Sequence, residues 1–204
     1  MSRNIMMVIA IVAVVAIASA AFVLAGNGGD RPAPVPDTPA DSDVSTAVVY
    51  FSETENTKAV AEKIAKAAGG DLIRITPAVE YTSADLDYGN RDCRSNAEDR
   101  DDSARPGIAN SMDLSGYDRI FLGYPIWYGD SPKIMWTFVE TYDLSGKTVI
   151  PFCTSGSSGI GSSATHLKDL THQGTWLDGK RFSGSASYED VRSWVAGMGM
   201  EASA

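Results

Sequence analysis

Three short stretches carry the residue types that could do chemistry. The first, SETENT at 52–57, gathers the hydroxyls of Ser52, Thr54 and Thr57 and the amide of Asn56 at the start of an expected helix. Hydroxyls, backbone N–H groups and a helix N-terminus can together hold an anion such as a phosphate. Glu53 and Glu55 lie in the same turn, and no cation precedes Lys58. A cradle of backbone donors needs no cation, so both carboxylates are expected to point outward as an acidic rim that tunes potential or docks a basic partner. The ATP-type loop GxxxxGK[ST] is absent.

The second stretch, YPIWYGDSP at 124–132, sets Tyr124, Trp127 and Tyr128 around Pro125, Ile126 and Gly129. Aromatic residues clustered just past a buried strand suit a flat apolar ligand; the alternatives are that Trp127 folds back onto the sheet edge, or that the rings form a protein-binding patch. The third, CTSGSSGIGSS at 153–163, offers Thr154, Ser155, Gly156, Ser157 and Gly159, and its glycines let backbone approach a ligand closely. Neither GxGxxG nor GxSxG fits it. His166 follows with no acid evidently placed to orient it, so serine-hydrolase chemistry is set aside and His166 reads as a solvated helix residue. Cys93 and Cys153 have neither metal-ligand spacing nor a CxxC, and His166 and His172 complete no ligand set, so no metal site is expected. Cys153 reads as a small buried hydrophobe, and its pairing with Cys93 is left open.

Elements to position these stretches follow from the apolar pattern. TAVVYF (46–51), DLIRI (71–75), DRIFLGYP (118–125), KTVIPFC (147–153) and TWLDGKRF (175–182) read as strands. Between them, Ala61, Ile64, Ala65 and Ala68 form a helical stripe from Asn56 to Ala68, stopped by Gly69 and Gly70. DSPKIMWTFVETY (130–142), with Ser131 as N-cap and Pro132 at the first position, and IGSSATHLKDL (160–170) supply two more helices. SYEDVRSWVAG supplies the last, opened by Ser187 and Asp190. Alternating strands and helices predict a doubly wound α/β fold with a five-stranded parallel sheet, whose ligands bind beyond the carboxyl ends of the strands. Two features resist: Pro151 interrupts a strand that should be central, and 76–112 contains no convincing helix.

The chain has 204 residues and a formal net charge of −9 with dispersed Lys and Arg, which excludes nucleic-acid binding. Residues 5–25 form an uncharged run that as a helix would span about 31 Å, enough to cross a bilayer. A signal peptide cleaved after ASA at 18–20 competes, but the run continues through Leu24, which favours an uncleaved anchor. Residues 26–45, rich in Pro and Asp, read as a disordered tether of up to about 60 Å, leaving 46–204 as the folded domain. That domain carries 22 acidic and 15 basic residues, a net of −7. Arg3 ahead of the run gives a slight preference for the domain outside the cytoplasm, or secreted if the segment is cleaved.

Over about residues 46–196 the chain resembles the flavodoxin family, in the branch with YPIW and PFCTSG loops. SETENT resembles the family's [ST]xTxNT phosphate motif, and YTSADLDYGN with DSARP resembles the long segment which that branch carries between its second and third strands. The resemblance implies a flavodoxin-like sheet order of 2-1-3-4-5 and non-covalent FMN, its phosphate on residues 52–57 and its ring system between 125–129 and the 154–159 loop. A backbone carbonyl near Gly129 would accept a hydrogen bond from the ring. Electron-rich rings in an acidic domain disfavour a reduced, anionic flavin, which implies a low-potential electron-transfer protein serving redox protein partners, membrane-bound ones included. The apolar run and tether depart from the family, whose members are usually soluble. Two alternatives stand beside this reading. One is an FMN-dependent NAD(P)H:quinone-type reductase whose Arg91, Arg94 and Arg105 close over substrate; the other is a cofactor-free interaction module on the same scaffold.

Overall fold

The structure is a computed structural model that describes residues 44–202. The 5–25 run and all but the last two residues of the 26–45 stretch lie outside the described residues, among which no helix is long and apolar enough to cross a membrane. The elements run β1 (Thr46–Tyr50), α1 (Asn56–Ala68), β2 (Asp71–Arg74), α2 (Arg94–Arg100), β3 (Arg119–Pro125), α3 (Lys133–Thr141), β4 (Thr148–Thr154), α4 (Ser163–Thr171), β5 (Thr175–Trp176), β6 (Lys180–Phe182) and α5 (Tyr188–Gly197).

All strand pairs are parallel, in the order β2-β1-β3-β4-β5, with β6 also pairing β4. Side chains alternate across the sheet with period two. Val49, Phe51, Leu122, Tyr124 and Cys153 join Ile134, Met135 and Phe138 of α3 and Leu167 of α4 in one core. Val48, Tyr50, Phe121, Ile150 and Phe152 join Val60 and Ile64 of α1 and Val191 and Val195 of α5 in another. Burial on both faces is why β1 and β3 read as unbroken apolar runs.

The expected fifth strand is split, and Pro151 explains the split. Thr148 donates its N–H to Asp118 on the β3 side, whereas Ser155 donates to Phe182 on the β6 side. By the same alternation the missing N–H of Pro151 faces the fifth strand, not the central partner, so pairing with β3 continues through Leu122. On the other side pairing stops after Val149–Trp176 and resumes at Phe152–Lys180, with three residues (177–179) opposite two.

One helix start and one helix differ from expectation. Pro132, not Ser131, is the N-cap of α3, and the Ser131 hydroxyl accepts a hydrogen bond from Trp136 Nε1 instead (3.2 Å). Ser187 and Asp190 do form the reciprocal capping box of α5. The segment 76–112 is folded down and contains α2, whose RSNAEDR sequence buries only Ser95. Tertiary contacts fix it: Arg94 pairs with Glu98 at 2.7 Å, Tyr81 donates to Glu98 at 2.6 Å, and Ser95 N–H bonds Asp85 O.

Candidate functional site

The carboxyl ends of β1, β3 and β4 bring the three stretches to one edge of the sheet. They border a cavity of about 480 Å³ that takes Thr54 and Asn56 from the first, Pro125, Ile126 and Trp127 from the second, and Thr154, Ser155 and Gly156 from the third. Ser52, Glu53, Glu55, Thr57, Tyr128, Gly129, Ser157 and Gly159 were expected at a ligand but do not line it. Two groups were missed: Leu86 and Tyr88 from the long segment, and residues 183–185 after β6. The Ser/Gly run at 183–185 repeats the signal of the third stretch and could have been found; Tyr88 is an aromatic residue 55% exposed within a polar run.

At the polar end, the start of α1 lacks a side-chain acceptor. Glu55 is the N-cap of α1 in a left-handed conformation (φ 61°) and makes no side-chain cap, so the first N–H groups of α1 receive no bond from it. Ser52, 2% exposed, has a hydroxyl with no partner. Thr57 and Thr154 share a buried hydroxyl bond of 2.8 Å that joins the first stretch to the third. Gly184 packs so closely on the Asn56 amide that a side chain there would collide with it. An uncapped helix start whose first residue lines the cavity fits a phosphate monoester, and the volume lies in the range of small-ligand sites.

Glu53 corrects the expectation that both carboxylates point outward. Glu55 does, pairing with Lys58 at the surface. Glu53 turns inward, its side chain 11% exposed; Oε1 has no hydrogen-bond partner and lies 3.7 Å from Arg74 Nη2. Burial raises its pKa, opposed by the Arg74 charge. Arg74 instead donates to the Ser52 carbonyl at 3.1 Å.

The aromatic end is occupied by its own packing. Tyr124 is fully buried and its hydroxyl bonds Ser163 Oγ at 3.1 Å. Trp127, 8% exposed, packs edge-on against Phe51 (5.5 Å) and Tyr81 (5.3 Å), so it does fold back onto the sheet while still bordering the cavity. Tyr128 (φ 50°) sends its hydroxyl to Ser95 (3.0 Å) and Cys93 Sγ (3.5 Å), and its ring lies 5.0 Å from that of Tyr88. Burial pushes the Tyr88 hydroxyl up to about 12. Arg181 of β6 holds the third stretch, donating to the carbonyls of Ser155 and Gly156 at 2.6 Å each.

A flavodoxin family profile matches residues 45–198. The chain belongs to the flavodoxin family. It is 42% identical to a presumed flavoprotein from Bacteroides eggerthii, over 77% of this chain and 99% of that one, with a TM-score of 0.72. A second presumed flavoprotein, from Bacteroides uniformis, is 40% identical over 75% and 98%, also at 0.72. A Lactobacillus acidophilus flavoprotein in complex with FMN shares the fold at 22% identity over 68% and 93%, with a TM-score of 0.53. No curated relative matches the chain.

Within this flavodoxin scaffold several expectations change. Arg94 is bound to Glu98 and the Val79 carbonyl and stacks on Tyr81, and Arg105 grips Glu140 through two bonds of 2.6 and 2.8 Å, so neither is poised to close over a substrate. An acid does orient His166: Asp130 Oδ2 lies 2.6 Å from Nδ1, although no serine hydroxyl bonds the imidazole among the described residues. Cys93 and Cys153 are both free thiols. Burial pushes Cys153 up to about 12, while hydroxyl groups of Ser95 and Tyr128 hold Cys93 below the usual thiol range.

Proposed function

We propose that the chain is an FMN-binding electron-transfer protein, held at a membrane by residues 5–25 through the 26–45 tether with its domain outside the cytoplasm. The observation that carries the FMN reading is the cavity's two unlike ends: the uncapped α1 start with Thr54 and Asn56, and the ring walls of Trp127 and Tyr88. FMN supplies one-electron chemistry when bound. The N–H groups at the start of α1 with Thr54 and Asn56 would hold the phosphate, and Trp127 and Tyr88 would wall the ring system. The FMN complex of the Lactobacillus acidophilus relative is in keeping with this reading. With Arg94 and Arg105 engaged elsewhere, no observation favours a nicotinamide-dependent reductase over a carrier.

Titrating the apo protein with FMN, followed by flavin fluorescence, is the test. Quenching is expected, with riboflavin bound about 100-fold more weakly because it lacks the phosphate. A protein that leaves FMN fluorescence unchanged would defeat the reading. Steady NADPH oxidation with a quinone and no protein reductase would replace the carrier by an enzyme, and protease resistance of the domain on intact cells would move it to the cytoplasmic side.

A further inference from the structure

The turn 127–130 between the second stretch and α3 is held in an uphill conformation. Tyr128 and Gly129 both have positive φ, 50° and 94°. Such a backbone persists where its surroundings over-determine it. Trp127 and Asp130 exchange both backbone hydrogen bonds at 2.9 Å, and the Asp130 carboxylate adds two more. Its Oδ1 accepts from the Ser131 N–H and its Oδ2 meets His166 Nδ1, each at 2.6 Å. A carboxylate only accepts, so Nδ1 carries the proton.

His166 stands on α4, the helix into which the third stretch leads. One carboxylate therefore ties the second stretch to the helix that follows the third. The pair opens onto a separate cavity of about 560 Å³ whose cations are engaged: Lys133 pairs with Asp102, and Arg105 with Glu140. His166 is thus the side chain that holds Oδ2, and at 46% exposed it contributes little to the core.

We propose that Asp130 and His166 are a positioning pair for the cofactor site: they fix the turn that carries Trp127 against the third stretch and slow cofactor escape. The inference rests on the FMN reading above. FMN affinity and dissociation rate, measured on the full chain by flavin fluorescence, test it with His166→Ala and His166→Asn, the fold of each being checked by far-UV circular dichroism. Asparagine places an amide donor near where Nδ1 lies. His166→Ala is expected to raise Kd about tenfold, chiefly through faster dissociation, as for the loss of a charge-assisted bond. His166→Asn should recover to within about twofold of the parent. A folded His166→Ala protein with parental Kd and dissociation rate overturns the pair, as does His166→Asn binding no better than His166→Ala. A parent protein that does not quench FMN overturns the cofactor reading and the pair together, and is told apart because it shows in the parent itself.

Discussion

At the polar end of the cavity the decisive groups are left without protein partners, whereas at the aromatic end almost every polar group is already bonded. Ser52 Oγ is buried and unpaired and α1 lacks a side-chain cap, but Tyr124, Tyr128 and Asp130 all have their side chains anchored. A helix start supplies its donors from the backbone, so the first end tolerates changes of side chain. The second is shaped by particular rings and carboxylates and should not. Trp127→Ala tests this at its strongest point. Removing a ring wedged between Phe51 and Tyr81 should cost about 3–5 kcal/mol of stability, read as a shift in the urea unfolding midpoint. A loss below about 1 kcal/mol would mean that the aromatic end is a surface patch.

Glu55 and Tyr128 allow a direct comparison, because each is a non-glycine residue with positive φ, one at either end. Glycine relieves about 1–2 kcal/mol of backbone strain at such a position. Glu55 contributes only a surface pair with Lys58, worth little, so Glu55→Gly should raise stability by up to about 1 kcal/mol. Tyr128→Gly gains the same relief but loses the bonds to Ser95 and Cys93 and the contact with Tyr88, for a net loss of about 1–2 kcal/mol. Opposite signs in thermal unfolding sharpen the contrast; equal signs would erase it.

The two ends also differed in how far the sequence revealed them. SETENT announced the polar end because hydroxyls before a helix act locally, and the parallel sheet followed from apolar strands alternating with helices, its strand order only from the family resemblance. What stayed hidden depends on residues distant in the chain. Asp130 reaches His166 across 36 positions, and α2 has no apolar stripe of its own and is held by Tyr81 and Asp85. Pro151 looked like an obstacle because the direction of a missing N–H shows only in the register. Glu53 looked like its neighbour Glu55, yet Arg74 from β2 stands on one side of the turn only.

Glu53 is therefore the place where the tolerant end should still respond to pH. Burial raises its folded-state pKa, so over the window from its unfolded value near 4.5 up to the folded value the native protein binds more protons than the unfolded chain. Stability then falls as pH rises through that window, and the penalty is fully present above it. Glu140 and Asp190 have lowered pKa values, held down chiefly by bonds from Arg105 and Ser187, and contribute with the opposite sign, so the total curve hides the Glu53 contribution. Subtraction isolates it. Glu53→Gln cannot titrate, so the stability of the variant minus that of the parent should grow as pH rises from about 4 to 7, in urea melts of the apo protein. A difference that stays flat would place the Glu53 carboxylate in solvent with Glu55, and the acidic rim would then contain both; one that shrinks would mean that the Arg74 charge outweighs burial.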